Sequence, residues 1–146
     1  MVKYAPPYPK TSHATLLTNR DRLIGTPSYQ FGFESDDIPI LASRSGKVVD
    51  VKYRKRRTLS FLSHSSKEVF ERAHSINFAV VQHEDGTFGR YIHLRSDLSI
   101  GTEINTGDLL GSLYGGLPGT WSHIHFSVYR MLSEDQRIWV PVDFSR

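Results

Sequence analysis

Histidines carry the chemistry of this 146-residue chain. His123 and His125 form a His-x-His pair within His123-Ile124-His125-Phe126-Ser127-Val128-Tyr129. Strand alternation would put both imidazoles on one face, roughly 6–7 Å apart along the chain. Neutral imidazole binds zinc at about 2.0–2.1 Å, and a catalytic zinc takes three protein ligands plus a water. The same spacing also suits two histidines that hydrogen-bond at the surface of a half-exposed strand. A third histidine, His93, follows Tyr91-Ile92 at the end of another strand candidate. The chain has no cysteine, which excludes disulfides, thiolate ligands and a thiol nucleophile.

These residues need strands to position them, and the sequence supplies strand signals from Ile38 onward. Pro39-Ile40-Leu41-Ala42 and Lys47-Val48-Val49-Asp50-Val51-Lys52-Tyr53 flank a Ser45-Gly46 turn. Ile76 to Gln82 reads as a buried strand running into Glu84-Asp85-Gly86, an Asp-Gly hairpin signal, and Phe88 to Leu94 returns as its partner. A turn over Glu103 to Asp108 precedes Leu109 to Tyr114, and the Gly/Pro-rich loop Gly115 to Gly119 leads into the His-x-His strand. Short strands separated by Gly and Asp turns predict an all-β, mainly antiparallel domain. Residues 1–37, with Pro6, Pro7 and Pro9 at their start and no persistent pattern over Thr11 to Gly25, read as an extended lead-in packed on a domain spanning 38–146. Within that domain, residues 52–77 read as an insertion. Ser65-Ser66-Lys67-Glu68 matches a capping box, so a short helix over Ser66 to His74 is expected there.

Composition narrows the function classes. Hydrophobic residues make up 38% and charged residues 23%, enough for one packed core at this length. No apolar run approaches the ~20 residues of a membrane span, and Met1 to Lys10 lacks the pattern of a signal peptide. Lys52, Arg54, Lys55, Arg56 and Arg57 supply five of the eighteen basic side chains, leaving thirteen against fifteen acidic ones. That run is either a local patch for an anionic partner or a solvated loop. It lacks interleaved aromatics beyond Tyr53, so a nucleic-acid-binding domain is disfavoured.

The order of segments is similar to the M23 (LytM-type, lysostaphin-like) zinc metallopeptidase domain over Ile38 to Val142. It runs through Pro39-Ile40-Leu41-Ala42, Gly46-Lys47-Val48-Val49, Val80-Val81-Gln82-His83-Glu84-Asp85-Gly86, Tyr91-Ile92-His93-Leu94, Gly107-Asp108-Leu109-Leu110-Gly111 and Ser122-His123-Ile124-His125-Phe126. The resemblance implies an antiparallel sheet core, a duplicated hybrid motif, with a groove above it. It implies zinc as cofactor with His125 as a ligand, and His93 and His123 as the proton-transfer and oxyanion-stabilising groups. His83 would be structural, and His13, His64 and His74 surface residues. It also implies a cell-envelope or secreted location and a peptidoglycan peptide or a protein partner in the groove.

The resemblance is incomplete at the metal. The family's remaining ligands are spaced His-x-x-x-Asp; one placement puts them on Gln30 and Glu34 in Tyr29-Gln30-Phe31-Gly32-Phe33-Glu34-Ser35, a second matches Phe33 to the residue after the aspartate and leaves Gly32 where the carboxylate should be, and neither recovers a histidine. Amide oxygen is a poor zinc ligand beside imidazole, and glutamate carries an extra methylene. His13 is a candidate to fill the gap. Ser122 and Ser127 stand where the family usually has proline and glutamate, a change in the groups that orient the ligands. Two functions follow: a domain with a degraded zinc site that binds a peptide, a cell-wall fragment or a protein, or an active zinc endopeptidase cutting peptidoglycan cross-links or glycine-rich peptides.

Overall fold

The computed structural model describes residues 3–20, 26–34, 38–52, 77–113 and 122–144. Its centre is β11 (Ser122–Met131), the ten-residue strand that contains the His-x-His pair. Ile124, Phe126 and Val128 are fully buried on one face, where strict alternation puts them. That face packs on Tyr29, Phe31 and Phe33 of β3 (Pro27–Phe33) and on Tyr91 of β7 (Phe88–Ile92) to form the core. Edge-on contacts to Tyr8 and Phe144 close the aromatic part, with Phe144 5.1 Å from Tyr29 and 5.3 Å from Phe31.

Antiparallel pairing builds the main sheet. The remaining strands are β1 (Lys3–Tyr4), β2 (Ala14–Arg20), β4 (Pro39–Leu41), β5 (Gly46–Lys52), β6 (Phe78–Gln82), β8 (Leu94–Arg95), β9 (Glu103–Ile104), β10 (Leu109–Leu113), β12 (Arg137–Val140) and β13 (Asp143–Phe144). Eight of the strands form one sheet in the order β2-β3-β11-β7-β6-β5-β9, with β12 added to β11. A second sheet, β4-β10-β8, covers the core with Ile40, Leu110, Leu113 and Leu94, and β1 pairs β13 in parallel. Among the described residues there is no helix, and none of them forms a helix long and apolar enough to cross a membrane.

The Asp-Gly hairpin forms as the sequence predicts. Gly86 takes φ 86°, the left-handed value that a side chain disfavours, and the His83 N–H donates to the Thr87 carbonyl at 2.8 Å. At the other end of this hairpin, Lys52 pairs with Phe78, and the Asn77 carbonyl accepts the His93 N–H at 2.8 Å. Lys52 and buried Asn77 are thus built into the sheet and the core, and the expected helix over 66–74 lies outside the described residues.

The N-terminal segment differs from its reading as a lead-in. It contributes β2 and β3, and β3 is paired with β11 from Ser122↔Phe33 to Phe126↔Tyr29. Periodicity over Thr11 to Gly25 is weak because β2 is an edge strand. Leu16 and Leu17 lie where the β2 ladder shifts register and are 52% and 43% exposed, so no apolar alternation was required there.

Candidate functional site

The second face of β11 carries His123, His125, Ser127 and Tyr129, and the neighbouring strands bring partners to it row by row. His125 pairs with Gln30 of β3 on one side and with Ile92 of β7 on the other. His123 pairs with Gly32, so no side chain flanks it on that strand. His125 is 9% exposed, and its Nε2 is hydrogen-bonded to the hydroxyl of buried Ser28. Ser28 did not stand out in the sequence, although it lies two residues before Gln30 and therefore on the same face of β3.

His93 reaches the site through a break in its strand. Among the described residues it is the one non-glycine with a left-handed backbone, at φ 73°, and it separates β7 from β8. Histidine tolerates this region better than β-branched residues, at a cost of about 1–2 kcal/mol. The kink turns the His93 ring against His123, with centroids 4.6 Å apart and planes at 68°.

Of the five predicted site residues, His123 and His125 share one face of β11, and Glu34 stands apart from the other four. Gln30 sits beside His125, and His93 sits beside His123. Glu34 is exposed one residue past the end of β3, four positions from Gln30, or roughly 13 Å along an extended chain. Since Gly32 marks the His123 row, Glu34 lies one row beyond it. Exposed His13 precedes β2 and continues the Ala14↔Phe33 register toward that same end. No group of three His, Asp or Glu residues among those described is arranged to hold a metal ion. Of the basic run, Lys52 ends β5 and is exposed, and Arg54, Lys55, Arg56 and Arg57 lie outside the described residues, as do His64 and His74.

Further along the same face stand residues with no sequence signal. Arg90 pairs with Ser127, and Phe88 pairs with Tyr129, which in turn pairs with Trp139 of β12. Burial lowers the Arg90 pKa, and the charge of Arg137 lowers it further. On the core side, burial pushes the Tyr91 hydroxyl up to about 12 even though it accepts a hydrogen bond from the Ser43 N–H at 2.9 Å. His83 is buried at the hairpin, where its Nδ1 contacts the Ser45 carbonyl at 2.8 Å, and burial lowers its pKa. A cleft of about 590 Å³ opens beside it, lined by Arg44, Lys47, Gln82 and Glu103 among others, at the opposite end of β6 from the His93 kink.

No family model and no curated protein sequence matches the chain. Solved structures do. Lysostaphin superposes with a TM-score of 0.61 at 16% identity, over 92% of this chain and 50% of its own. A zinc-containing peptidase from Vibrio cholerae gives 0.57 at 19% identity, over 93% of this chain and 38% of that one. The catalytic domain of the prophage-encoded M23 protein EnpA from Enterococcus faecalis gives 0.59 at 14% identity, over 92% of each chain. The chain therefore spans half or less of the first two proteins and nearly all of the third. Likenesses at such low identity carry the architecture, and together with the antiparallel sheets and the segment order they establish that this chain has the fold of the LytM and lysostaphin M23 peptidases.

Proposed function

We propose that this chain is an M23-type domain that uses the face around His125 to bind a peptide, a cell-wall fragment or a protein partner, with little or no peptidase activity. The observation that carries this reading is the row Gln30–His125: an amide stands directly across from His125, and Ser28 engages the His125 Nε2. Zinc needs three strong donors in a tetrahedral arrangement. Here one imidazole nitrogen is committed to a hydroxyl, the neighbouring donor is an amide, and Glu34 lies beyond the next row, so this donor set does not fit a catalytic zinc. In the same reading, the basic side chains Lys52, Arg54, Lys55, Arg56 and Arg57 offer an anionic partner a second contact.

The test is metal retention. After dialysis against a chelator and back into buffered zinc, the protein is expected to hold well under one equivalent and to leave a pentaglycine peptide intact. Stoichiometric zinc together with cleavage abolished by His125→Ala would overturn the proposal. One observation supports the opposite, catalytic reading: the kinked backbone of His93 presents its ring to His123, and strain of this kind collects at working sites.

A further inference from the structure

The face that carries His125 continues into a cationic and aromatic shelf that no acid neutralises among the described residues. Arg90 lies across from Ser127, two positions along β11 from His125 and thus roughly 7 Å away along the strand. Its guanidinium stands 4.9 Å from the centroid of the Trp139 ring. Tyr129 stacks on Phe88 at 5.2 Å and 13° and meets Trp139 edge-on at 5.3 Å. The Arg137 guanidinium lies 4.6 Å from the centroid of the Tyr129 ring, and its charge acts on Arg90.

Arg90 forms no ion pair with a described residue, and its Nε and the Ser127 hydroxyl are both buried without a hydrogen-bond partner among them. A buried donor in that state costs about 1–3 kcal/mol. The residue as a whole keeps partial contact with solvent, so the outer edge of the guanidinium is open to a ligand. Two like charges close together repel, and an anion seated between them relieves that repulsion as well. A planar guanidinium presents paired N–H groups that match a carboxylate, and the aromatic wall excludes water from the pair.

We propose that Arg90, with Arg137 beside it, forms a carboxylate-binding subsite that anchors the acidic group of a peptide lying across the His125 face. The peptide nature of the ligand rests on the binding function proposed above. The Arg90–Ser127 geometry does not, because it is independent of any metal.

The experiment follows the Arg90 Nε–H resonance by NMR, assigned by its disappearance in Arg90→Met, in both chelator-dialysed and zinc-supplemented wild-type protein. The probes are acetyl-Ala-Ala with a free carboxylate, its C-terminal amide, acetyl-Ala-Glu-Ala-amide and inorganic phosphate. A saturable shift with either carboxylate peptide and none with the neutral amide supports the proposal, and the responding peptide identifies a chain terminus or an acidic side chain as the source. Arg90→Met, compared with the wild type by isothermal titration, should then bind the responding peptide about tenfold more weakly or worse. Ser127→Glu, which supplies an internal carboxylate opposite Arg90, should abolish the shift. No saturable shift with either carboxylate, an equal shift with the amide, or tighter binding of phosphate than of the peptides would overturn it. A shift that persists in protein found to hold stoichiometric zinc and to cleave the pentaglycine peptide would keep the subsite while refuting the non-catalytic function.

Discussion

Replacing Tyr91 with Phe tests whether the strand that presents His93 is fixed by a sealed hydroxyl beneath the sheet. Tyr91 is fully buried, and its oxygen accepts the Ser43 N–H at 2.9 Å. Removing that acceptor strands a buried N–H, which should cost about 1–3 kcal/mol at pH 8. The pH dependence should move the other way. Burial raises the Tyr91 pKa from 10.0 to about 12, so the native state binds its proton more tightly than the unfolded chain does. Stability contributed by this difference is fully present below pH 10 and is lost as the pH rises through 12. Two units correspond to about 2.7 kcal/mol in all, of which about 1.4 kcal/mol is gone by pH 11. Tyr91→Phe lacks this loss, so the gap between the two proteins should narrow by about 1.4 kcal/mol between pH 8 and pH 11. Urea unfolding at several pH values measures this, and subtracting one curve from the other removes the lysines and other tyrosines common to both. Parallel curves would refute the reasoning, because they would mean that Tyr91 ionises as easily in the folded protein as in the unfolded chain.

Other perturbations probe the site and its frame. Combining Gln30→His with Glu34→Asp should raise zinc affinity no more than the two single changes together, since position 34 lies a row beyond His123 from Gln30; isothermal titration of the four proteins gives the coupling, and a gain well above additivity would show that both side chains reach one ion. His93→Gly should be about 1 kcal/mol more stable than His93→Ala in thermal or urea melts, because only the alanine must still hold a positive φ; equal stabilities would mean that the kink relaxes once the ring is gone. At Asp85, partial burial disfavours the charge, but hydrogen bonds from Thr87 and the contact with Arg44 at 2.9 Å outweigh it and hold the carboxyl well below the usual range. That stability is present above the ordinary value of 3.8 and disappears as the pH falls below it, so Asp85→Asn should flatten the acid limb of a urea-midpoint profile, and an unchanged limb would assign acid sensitivity to other carboxylates.

Local order made part of this protein legible in its sequence. Alternation in His123 to Tyr129 fixed which residues of β11 face the core and which face the site, and Asp85-Gly86 fixed the hairpin, because both depend only on neighbours in the chain. The order of short strand segments was enough to name the architecture that the solved structures share. Tertiary structure decided the rest. That β3 lies against β11, and so brings Gln30 to His125 and Ser28 to its Nε2, depends on pairing across about a hundred residues of chain, and the edge strand β2 left almost no pattern to read. The meeting of His93 with His123 needed a left-handed kink that no propensity announces at a histidine. Arg90, Tyr129 and Trp139 look like ordinary residues of separate strands; they become a charged aromatic shelf only because β7, β11 and β12 are neighbours, and neighbourhood across a sheet is set by which strands can bury their apolar faces together.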